Sequence, residues 1–472
     1  MQQMAGFPIF AFSEEQLETI RESVLEILDR IGIAVKNERL LGLLRSRGFR
    51  TSGERVMVEK RVVTEYLDTR QQPIRWETND PENARGDAPL QLYVNDYIQN
   101  CHVAGTDRIV PFTMDSLIET TKILHVLADR GVTSTPPGLP ADVPPDIQPV
   151  LQYWVAATYS RQGRRPMDPK TLKAFPYVRE MSEVLGYPLR YLDVWVVSPL
   201  TLGGESLESV LRFADQLEAV GVGNMGGVGS TLPIHVGDAF AVALAEVIGS
   251  ALLIREAVAL PISWHFGFHP TDFRSGSMVI GSPENTLLRF LHEQVYAYFK
   301  GRQWRRNLSG SVLTMAKLPG AQACAEKASM MTLSALLGQR DFYYGGALSL
   351  DEVFSVEQLL YDLELKDHVA RLVKGIEDDC QTARCLADVR QAMEEGGFLG
   401  LDSTAGLFRQ TYWDPPLFDR CSLNTWKTAG SVTMGAKIDA AVSELLDSYD
   451  YELEPELQQQ IDRIKVRAEK DA

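Results

Sequence analysis

Apolar segments of strand length alternate with segments of helix length through the middle of the chain, and this alternation constrains the fold most. Strands are predicted at five positions: 131–135, 191–197, 220–225, 261–266 and 341–344. Helices are predicted between or after them, at 207–220, 238–260, 283–299, 321–337 and 356–373. Strands that alternate with helices pair in parallel, and near-continuous apolar strands are buried on both faces. About six such units favour a (β/α)8 TIM-type barrel over an open doubly wound sheet. No GxGxxG motif opens any unit, which also disfavours the open sheet.

The predicted barrel is preceded by an N-terminal α/β piece that covers residues 1–90. Its helix is predicted at 13–31, where Ser13 can cap the helix and Gln16 completes a capping box. Gly32 then ends the helix. Short strands are predicted at 56–63 and 74–77.

Further capping signals divide the rest of the chain. Ser282 followed by a proline and an acid predicts a helix start, and Ser355 with Gln358 predicts another capping box. We assign residues 91–450 to the barrel and residues 451–472 to a polar C-terminal helix or tail at the surface.

Composition narrows the class of protein. The net charge of −16 disfavours a nucleic-acid partner, which would need a basic face. No run of about 18 apolar residues predicts a membrane span, and the first twelve residues do not resemble a signal peptide. The cysteines are odd in number and scattered, which favours a reducing cytoplasm. They are Cys101, Cys324, Cys380, Cys385 and Cys421.

Two segments near predicted strand ends are candidates for a site. The glycine-rich segment 223–230 is either a tight turn or a place where backbone approaches a large ligand, and it lacks the GK[ST] of a P-loop. Segment 264–270 contains two histidines and three aromatic residues. Zinc is not expected there, because further cysteine or histidine ligands at suitable spacing are missing.

Five segments, in a shared order, resemble the trimethylamine methyltransferase family. In those enzymes pyrrolysine stands about where Leu318 stands here, so this chain resembles a member without pyrrolysine. One departure is Ser403, where many members have a histidine. The resemblance runs from the N-terminal helix to about residue 445. The segments are 229–233 with 245–249, 265–284, 316–323 with 326–337, 357–362, and 397–400.

The resemblance implies a barrel whose mouth receives a corrinoid, cob(I)alamin, carried by a separate corrinoid protein. Members without pyrrolysine resemble demethylases of quaternary amines such as glycine betaine, proline betaine or carnitine. Among these, the chain is most similar to those that use glycine betaine and release dimethylglycine. Gly227, Gly229 and Asp272 are then candidates for contact with the corrinoid.

The chemistry of a quaternary amine fits the residues at hand. Its leaving group departs as a neutral amine, so no general acid is needed, and we find no convincing nucleophile–base pair. A quaternary ammonium is held by aromatic faces. Candidates are Tyr97, Trp195, Phe266 and Phe354, and His265 is a candidate donor to a substrate carboxylate.

Each of these candidates has a structural alternative. Trp195 can point outward between strand and helix. Phe354 can act as a hydrophobic staple on the helix begun by Ser355. His265 can be a buried structural histidine.

Two other functions stay open from the sequence. A non-catalytic binding protein for betaine-like solutes would need no corrinoid partner. A different barrel enzyme would act on an unrelated small molecule. The sequence does not fix the oligomeric state, and a homo-oligomer is compatible with it.

Overall fold

A computed structural model describes residues 11–69, 88–133, 136–304, 308–376 and 381–472. Helices occur throughout this part of the chain and are numbered in order: α1 (Glu14–Glu26), α2 (Glu38–Ser46), α3 (Lys60–Asp68), α4 (Met114–Leu127), α5 (Gln148–Tyr159), α6 (Phe175–Val184), α7 (Glu205–Phe213), α8 (Val236–Arg255), α9 (Pro283–Phe299), α10 (Ala321–Leu336), α11 (Val356–Lys374), α12 (Thr382–Glu395), α13 (Asp402–Thr411), α14 (Leu423–Thr428), α15 (Met434–Asp447) and α16 (Pro455–Lys470).

The strands are short, apart from two in the centre of the chain. They are β1 (Ile33–Val35), β2 (Thr51–Ser52), β3 (Arg55–Val56), β4 (Gln91–Tyr93), β5 (Asn100–His102), β6 (Ile109–Pro111), β7 (Val132–Thr133), β8 (Tyr191–Val196), β9 (Thr201–Leu202), β10 (Ala219–Val228), β11 (Ile262–Trp264), β12 (Gly267–Pro270), β13 (Asp341–Tyr343), β14 (Ala347–Leu348) and β15 (Val353–Phe354).

The N-terminal helix begins as its sequence predicts. The Ser13 side chain accepts from the Gln16 backbone, and the Gln16 side chain accepts from the Ser13 backbone. After α1 the helix continues as one π-helical turn, Ile27–Ile31, and Gly32 ends it with φ of 70°. A Cβ at Gly32 would lie 2.3 Å from the carbonyl oxygen of Val56, so only glycine fits there.

The strand predicted at 56–63 is wrong for most of its length. Strand β3 ends at Val56, and helix α3 begins at Lys60. The run of valines favours a strand locally, but Val63 and Tyr66 give α3 a buried face at helical spacing. The second predicted strand, 74–77, lies outside the described residues.

Parallel pairing around β10 forms the first half of the central sheet. Strand β8 pairs along one edge of β10, and β11 and then β12 pair along the other edge, all in parallel. The strands predicted at 191–197, 220–225 and 261–266 are therefore confirmed. The helix predicted at 207–220 is wrong at its end, because α7 stops at Phe213 and Ala219 already belongs to β10.

A second parallel group pairs the two ends of the predicted barrel segment. Strand β4 pairs with β7 on one side and with β13 on the other. Ser311 forms a parallel bridge to Tyr343 on the far side of β13. In the described residues no ladder joins β7 to β8 or β12 to Ser311, so the alternating α/β class is confirmed but the closed barrel is not observed.

Helix α8 forms part of the largest apolar core. It is long and apolar enough to cross a membrane by composition, with a mean hydropathy of 1.8, but 83% of that window is buried within the protein. Such burial is typical of a core helix. Helix α1 packs against α8, and β1 pairs in parallel with β9.

The C-terminal segment predicted as a polar surface tail has one buried face. Helix α16 buries Ile461, Ile464 and Ala468 in the same core and packs against α6 and α5. Its remaining positions are polar, and this gave the segment its appearance of a free surface helix.

Candidate active site

Two adjoining cavities lie where the parallel strands end at their carboxyl termini. The inner cavity has a volume of about 220 Å³ and the outer one about 550 Å³. Trp195, Met225 and Asp351 line both, so the cavities adjoin at these three residues. Binding sites in parallel α/β folds occupy this edge of the sheet.

Strand β8 presents alternate side chains to the outer cavity. Leu192, Val194 and Val196 are buried. Asp193 and Trp195 line the cavity, and Leu192 also borders it. Trp195 is 43% exposed. The period of two along a strand explains why these two side chains point the same way.

Glycines on β10 make room for these side chains. A Cβ on Gly221 would lie 1.9 Å from Oδ1 of Asp193, and a Cβ on Gly223 would lie 2.4 Å from Nε2 of His265. The neighbouring strands could not bring Asp193 and His265 so close to any larger residue. Part of the glycine-rich segment therefore lies within the strand, where it sets the shape of the site.

The outer cavity combines an aromatic ring with acidic side chains. Nζ of Lys170 lies 5.5 Å from the centre of the Tyr97 ring. Burial raises the pKa of Asp168, and the neighbouring carboxylates of Asp96 and Asp193 raise it further, while Lys170 opposes the rise. A cation is thus favoured at this place by both the ring and the carboxylates.

Asp351 connects the acidic wall to two tyrosines. Burial raises its pKa, and a hydrogen bond from Tyr97 opposes that rise. Tyr97 is also hydrogen-bonded to Tyr344, and burial raises the pKa of both phenols. These contacts fix the Tyr97 ring at the wall of the outer cavity.

The loop from Tyr344 to Asp351 is held in an unusual backbone conformation. Tyr344, Ser349 and Leu350 all have positive φ, at 73°, 49° and 68°. Non-glycine residues in this region carry strain and persist only where surrounding contacts enforce it. Nζ of Lys327 donates to the carbonyl oxygen of Tyr344 at 3.3 Å, which anchors the first of these residues from outside the cavity.

Three histidines and one arginine line the inner cavity. Nδ2 of Asn285 donates to Nδ1 of His269 at 2.9 Å, and burial lowers the pKa of His269 to about 3. Nε2 of His292 donates to the carbonyl oxygen of Phe266 at 2.7 Å. Arg289, on the same helix as His292, also lines this cavity. The inner cavity therefore has a positive end.

The sequence of this chain matches a known enzyme family. The family described as "Trimethylamine methyltransferase (MTTB)" matches residues 4–85 and 160–468, which is most of the chain. The chain belongs to the trimethylamine methyltransferase family. This membership identifies it as an enzyme of a methyltransferase family and confirms the resemblance found in the sequence.

Relatives within the family differ in their named substrate. A glycine betaine methyltransferase from Desulfitobacterium hafniense (strain Y51) is 24% identical over 88% of each chain. A trimethylamine methyltransferase from another strain of that organism is 22% identical over 96% of this chain and 92% of the relative. A trimethylamine methyltransferase from Methanosarcina mazei is 26% identical over 59% of this chain. The matched region covers only 55% of the length of that relative.

Four residues predicted for substrate binding line the cavities. Tyr97 lines the outer cavity, His265 and Phe266 line the inner one, and Trp195 lines both. Phe266 is 4% exposed and packs edge-to-face on Phe240, so only part of its surface reaches the cavity.

Phe354 lies elsewhere. It is 1% exposed, packs 6.5 Å from the Phe112 ring, and is not among the described residues that line either cavity. The predicted cap at Ser355 is present, since its hydroxyl accepts from the Gln358 backbone. The second half of the predicted capping box is wrong, because the Gln358 side chain donates to Asp362 instead.

The residues predicted to contact the corrinoid lie at the ends of β10 and β12. A Cβ on Gly227 would meet Oγ of Ser230 at 2.3 Å, and one on Gly229 would meet Cζ of Phe273 at 2.5 Å. Asp272 accepts from the Ser275 hydroxyl and the Arg274 backbone, which lower its pKa. These local contacts account for the residue types without a ligand.

Leu318, at the family's pyrrolysine position, is half-buried in the bend that precedes α10. It is not among the described residues that line either cavity. The segment just before it does support the cavity loop, since Ser349 and Leu350 donate their backbone N–H groups to the carbonyls of Ala316 and Thr314.

For metal binding, the described ranges contain no group of three or more His, Cys, Asp or Glu side chains arranged around one point. Cys101, Cys324, Cys385 and Cys421 are free thiols, and Cys380 lies outside the described ranges.

Several residues that shape the cavities were not predicted from the sequence. The alternation of polar and apolar residues along β8 is a signal that could have found Asp193. Arg289 gave no comparable signal, because an arginine in the second turn of a helix usually points to solvent. The others are Asp96, Asp168, Lys170, Tyr344 and Asp351.

Proposed function

We propose that this protein transfers a methyl group from glycine betaine to the Co(I) corrinoid of a separate corrinoid protein and releases dimethylglycine. The observation that carries this proposal is the outer cavity, where the ring of Tyr97 already holds the ammonium of Lys170 at 5.5 Å. A quaternary ammonium offers no hydrogen-bond donor and is bound by such faces and by nearby negative charge. The relative named as a glycine betaine methyltransferase supports the choice of substrate.

The residues of this chain position the substrate and keep water away from it. Tyr97 and Trp195 supply ring faces for the trimethylammonium group, and the surrounding carboxylates balance its charge. A quaternary ammonium departs as a neutral amine, so no side chain has to donate a proton to it. The corrinoid belongs to the partner protein and is a second substrate, which supplies the nucleophile for the methyl group. Positioning and desolvation are then the main tasks of the protein.

We further propose that the partner's corrinoid approaches the edge at which β10 and β12 end. Gly227, Gly229 and Asp272 lie at this edge. The same edge carries the residues of both cavities, so a cofactor resting there would face the substrate. The reaction is proposed to take place in the cytoplasm, in agreement with the free thiols.

The arrangement of the strands supports a barrel as the complete architecture. Strands of the barrel segment pair with each other in chain order from β4 to β7, from β8 through β10 to β12, and from Ser311 to β13. Strand β13 then returns to β4, so the first and last strands are neighbours. We propose that these segments belong to a closed (β/α)8 barrel, in which strands pair in chain order and the last strand pairs with the first.

A substrate panel tests the proposed function. The protein is mixed with its corrinoid protein held in the Co(I) state, and absorbance reports the loss of Co(I) on addition of each amine. Glycine betaine is expected to react, whereas trimethylamine is not, because Leu318 supplies neither an electrophile nor a proton. Failure of every betaine to react, or robust turnover of trimethylamine, would contradict the proposal.

Removal of an aromatic face is expected to weaken substrate binding. Trp195→Ala should cost about 0.5–2 kcal/mol of binding free energy, which raises KM about 2- to 30-fold. The measurement is KM for glycine betaine at saturating corrinoid protein. Tyr187→Ala is the matched control, since Tyr187 is 45% exposed and has Arg165 over its ring but lies outside both cavities. An equal effect of the two substitutions on KM would show that Trp195 does not bind the substrate.

The rate with betaine is expected to be nearly flat from about pH 6 to 8, because no acid–base residue limits the step, and the affinity for betaine is expected to fall in more acidic solution. Burial raises the pKa of Asp168 and Asp351, so these carboxyls lose their negative charge earlier than ordinary ones as the pH falls. His269, with a pKa of about 3, stays neutral over the same range. Calorimetric titration with glycine betaine between pH 4.5 and 8 checks this, and a bell-shaped kcat profile centred near pH 7 would instead reveal a catalytic acid.

A further inference from the structure

Arg289 is a cation deep in the protein that has only neutral hydrogen-bond partners. Its Nε donates to Oδ1 of Asn285 at 3.2 Å, and its Nη1 donates to Oγ of Ser309 at 2.7 Å and to the carbonyl oxygen of Ser311 at 3.4 Å. No carboxylate of the described residues forms an ion pair with it. Burial lowers its pKa, and Tyr344 and Glu293 oppose this change electrostatically.

A buried charge of this kind is costly unless an opposite charge meets it. Arginine cannot give up its proton in ordinary conditions, so the guanidinium stays charged even where burial disfavours it. His269 does not help to neutralise it, because it is itself uncharged and accepts from the same Asn285 side chain that holds Arg289. Asp351 also lines the inner cavity but forms no ion pair with Arg289, so the guanidinium has no direct anionic partner among the described residues.

The three neutral partners hold the guanidinium in one orientation. They engage Nε and Nη1 and leave Nη2 for another acceptor, while the side chain lines the inner cavity. A planar guanidinium with free N–H groups matches the two oxygens of a carboxylate.

We propose that Arg289 binds the carboxylate of the substrate, so that this site selects zwitterionic betaines over quaternary amines without a carboxylate. This inference rests on the proposed function and names the group that sets its specificity. The outer cavity, with its ring faces and carboxylates, receives the ammonium, and the inner cavity receives the anion. Trp195 and Asp351, shared by both cavities, then lie beside the nitrogen.

Two consequences for the substrate follow from this placement. The inner cavity, about 220 Å³, is smaller than the pockets of about 300–1,000 Å³ that hold drug-sized ligands, so it suits a small anionic group. With the carboxylate held at the inner end, the methyl groups point toward the open outer cavity. The predicted donor His265 lines the same inner cavity and is placed to assist, but it lacks the permanent charge of Arg289.

Equilibrium binding tests this assignment without the corrinoid protein. Glycine betaine and choline are titrated calorimetrically into the full-length protein and into Arg289→Met, and choline provides the same ammonium without a carboxylate. The variant is expected to bind betaine about 10- to 150-fold more weakly, as for a lost hydrogen bond between charged groups, and to bind choline at least as well as before. Arg289→Lys, which keeps the charge but loses the planar fork, is expected to fall between the two.

The controls separate a folding defect from a binding defect. Arg55→Met is the matched substitution, because Arg55 also donates to a neutral carbonyl, that of Gly32 at 3.1 Å, but lies in the N-terminal sheet. Circular dichroism and the melting temperature establish that each variant is folded. If Arg289→Met does not fold, the affinities of Arg289→Lys for betaine and for choline decide whether Arg289 binds the carboxylate.

The outcomes distinguish this inference from the proposed function. Unchanged preference for betaine over choline in folded Arg289 variants would overturn the role of Arg289, even if betaine is demethylated. If the unsubstituted protein binds betaine through Arg289 but transfers no methyl group from any quaternary amine, the methyltransferase proposal fails and the carboxylate site stands.

Discussion

Lys327→Met is expected to lower the free energy of unfolding by about 3–5 kcal/mol, the cost of leaving a buried charge without its partner. Lys327 and Asp362 are both fully buried, and Nζ lies 2.6 Å from Oδ2. Asp362 also accepts from the Gly346 backbone and the Gln358 side chain, each at 2.8 Å. Denaturant titration of the full-length protein measures the effect.

A second variant separates the lost ion pair from lost packing. Lys327→Met with Asp362→Leu removes both charges, so it should recover part of the stability that the single substitution loses. Lys60→Met is the exposed control, because Lys60 pairs with Glu22 and Glu26 at the surface, and it should leave the unfolding midpoint almost unchanged. An unchanged midpoint for Lys327→Met would mean that the pair does not stabilise the fold.

Phe354→Ala is expected to destabilise the protein by about 3–5 kcal/mol and to leave the affinity for glycine betaine unchanged. Its ring is fully buried against Phe112 and against the backbone of Gly346, so truncation opens a cavity in the core. Unfolding and betaine titration are measured on the same preparation. Phe398→Ala, at a side chain that is 55% exposed, should affect neither.

The opposite pattern for Phe354→Ala would have a clear meaning. Weaker betaine binding with an unchanged unfolding midpoint would place its ring against the ammonium, as the sequence alone suggested. The interpretation of Phe354 as a hydrophobic staple would then be wrong.

Much of the fold was predictable because local signals and burial agree. Helix α9 begins at Pro283, where Ser282 caps it, and the buried strands around β10 were located to within a few residues. The failures at 56–63 and 207–220 occurred where β-branched or apolar runs fit both a helix and a strand, so tertiary packing decided between them.

The candidate site was only partly predictable. Trp195 and His265 could be found because they lie near the ends of predicted parallel strands, whose carboxyl ends meet at one edge, whereas no strand was predicted before Tyr97. Phe354 follows the same logic, yet a contact with Phe112, far away in sequence, takes it into the core. Arg289 could not be found, since its role depends on which face of α9 turns toward the cavity.

The pairing of β4 with β13 also constrains when the site can form. The Tyr93 hydroxyl donates to Oδ1 of Asp341 at 3.1 Å across 248 positions of sequence. Closing so long a loop is entropically costly and slow. Tyr97 follows β4 and Tyr344 follows β13, so their hydrogen bond can form only after this pairing. Asp351, which lines the outer cavity, follows Tyr344 in the sequence, so a growing chain has no complete outer cavity until Asp351 has left the ribosome. Substrate can then stabilise only a chain that has been synthesised beyond this residue.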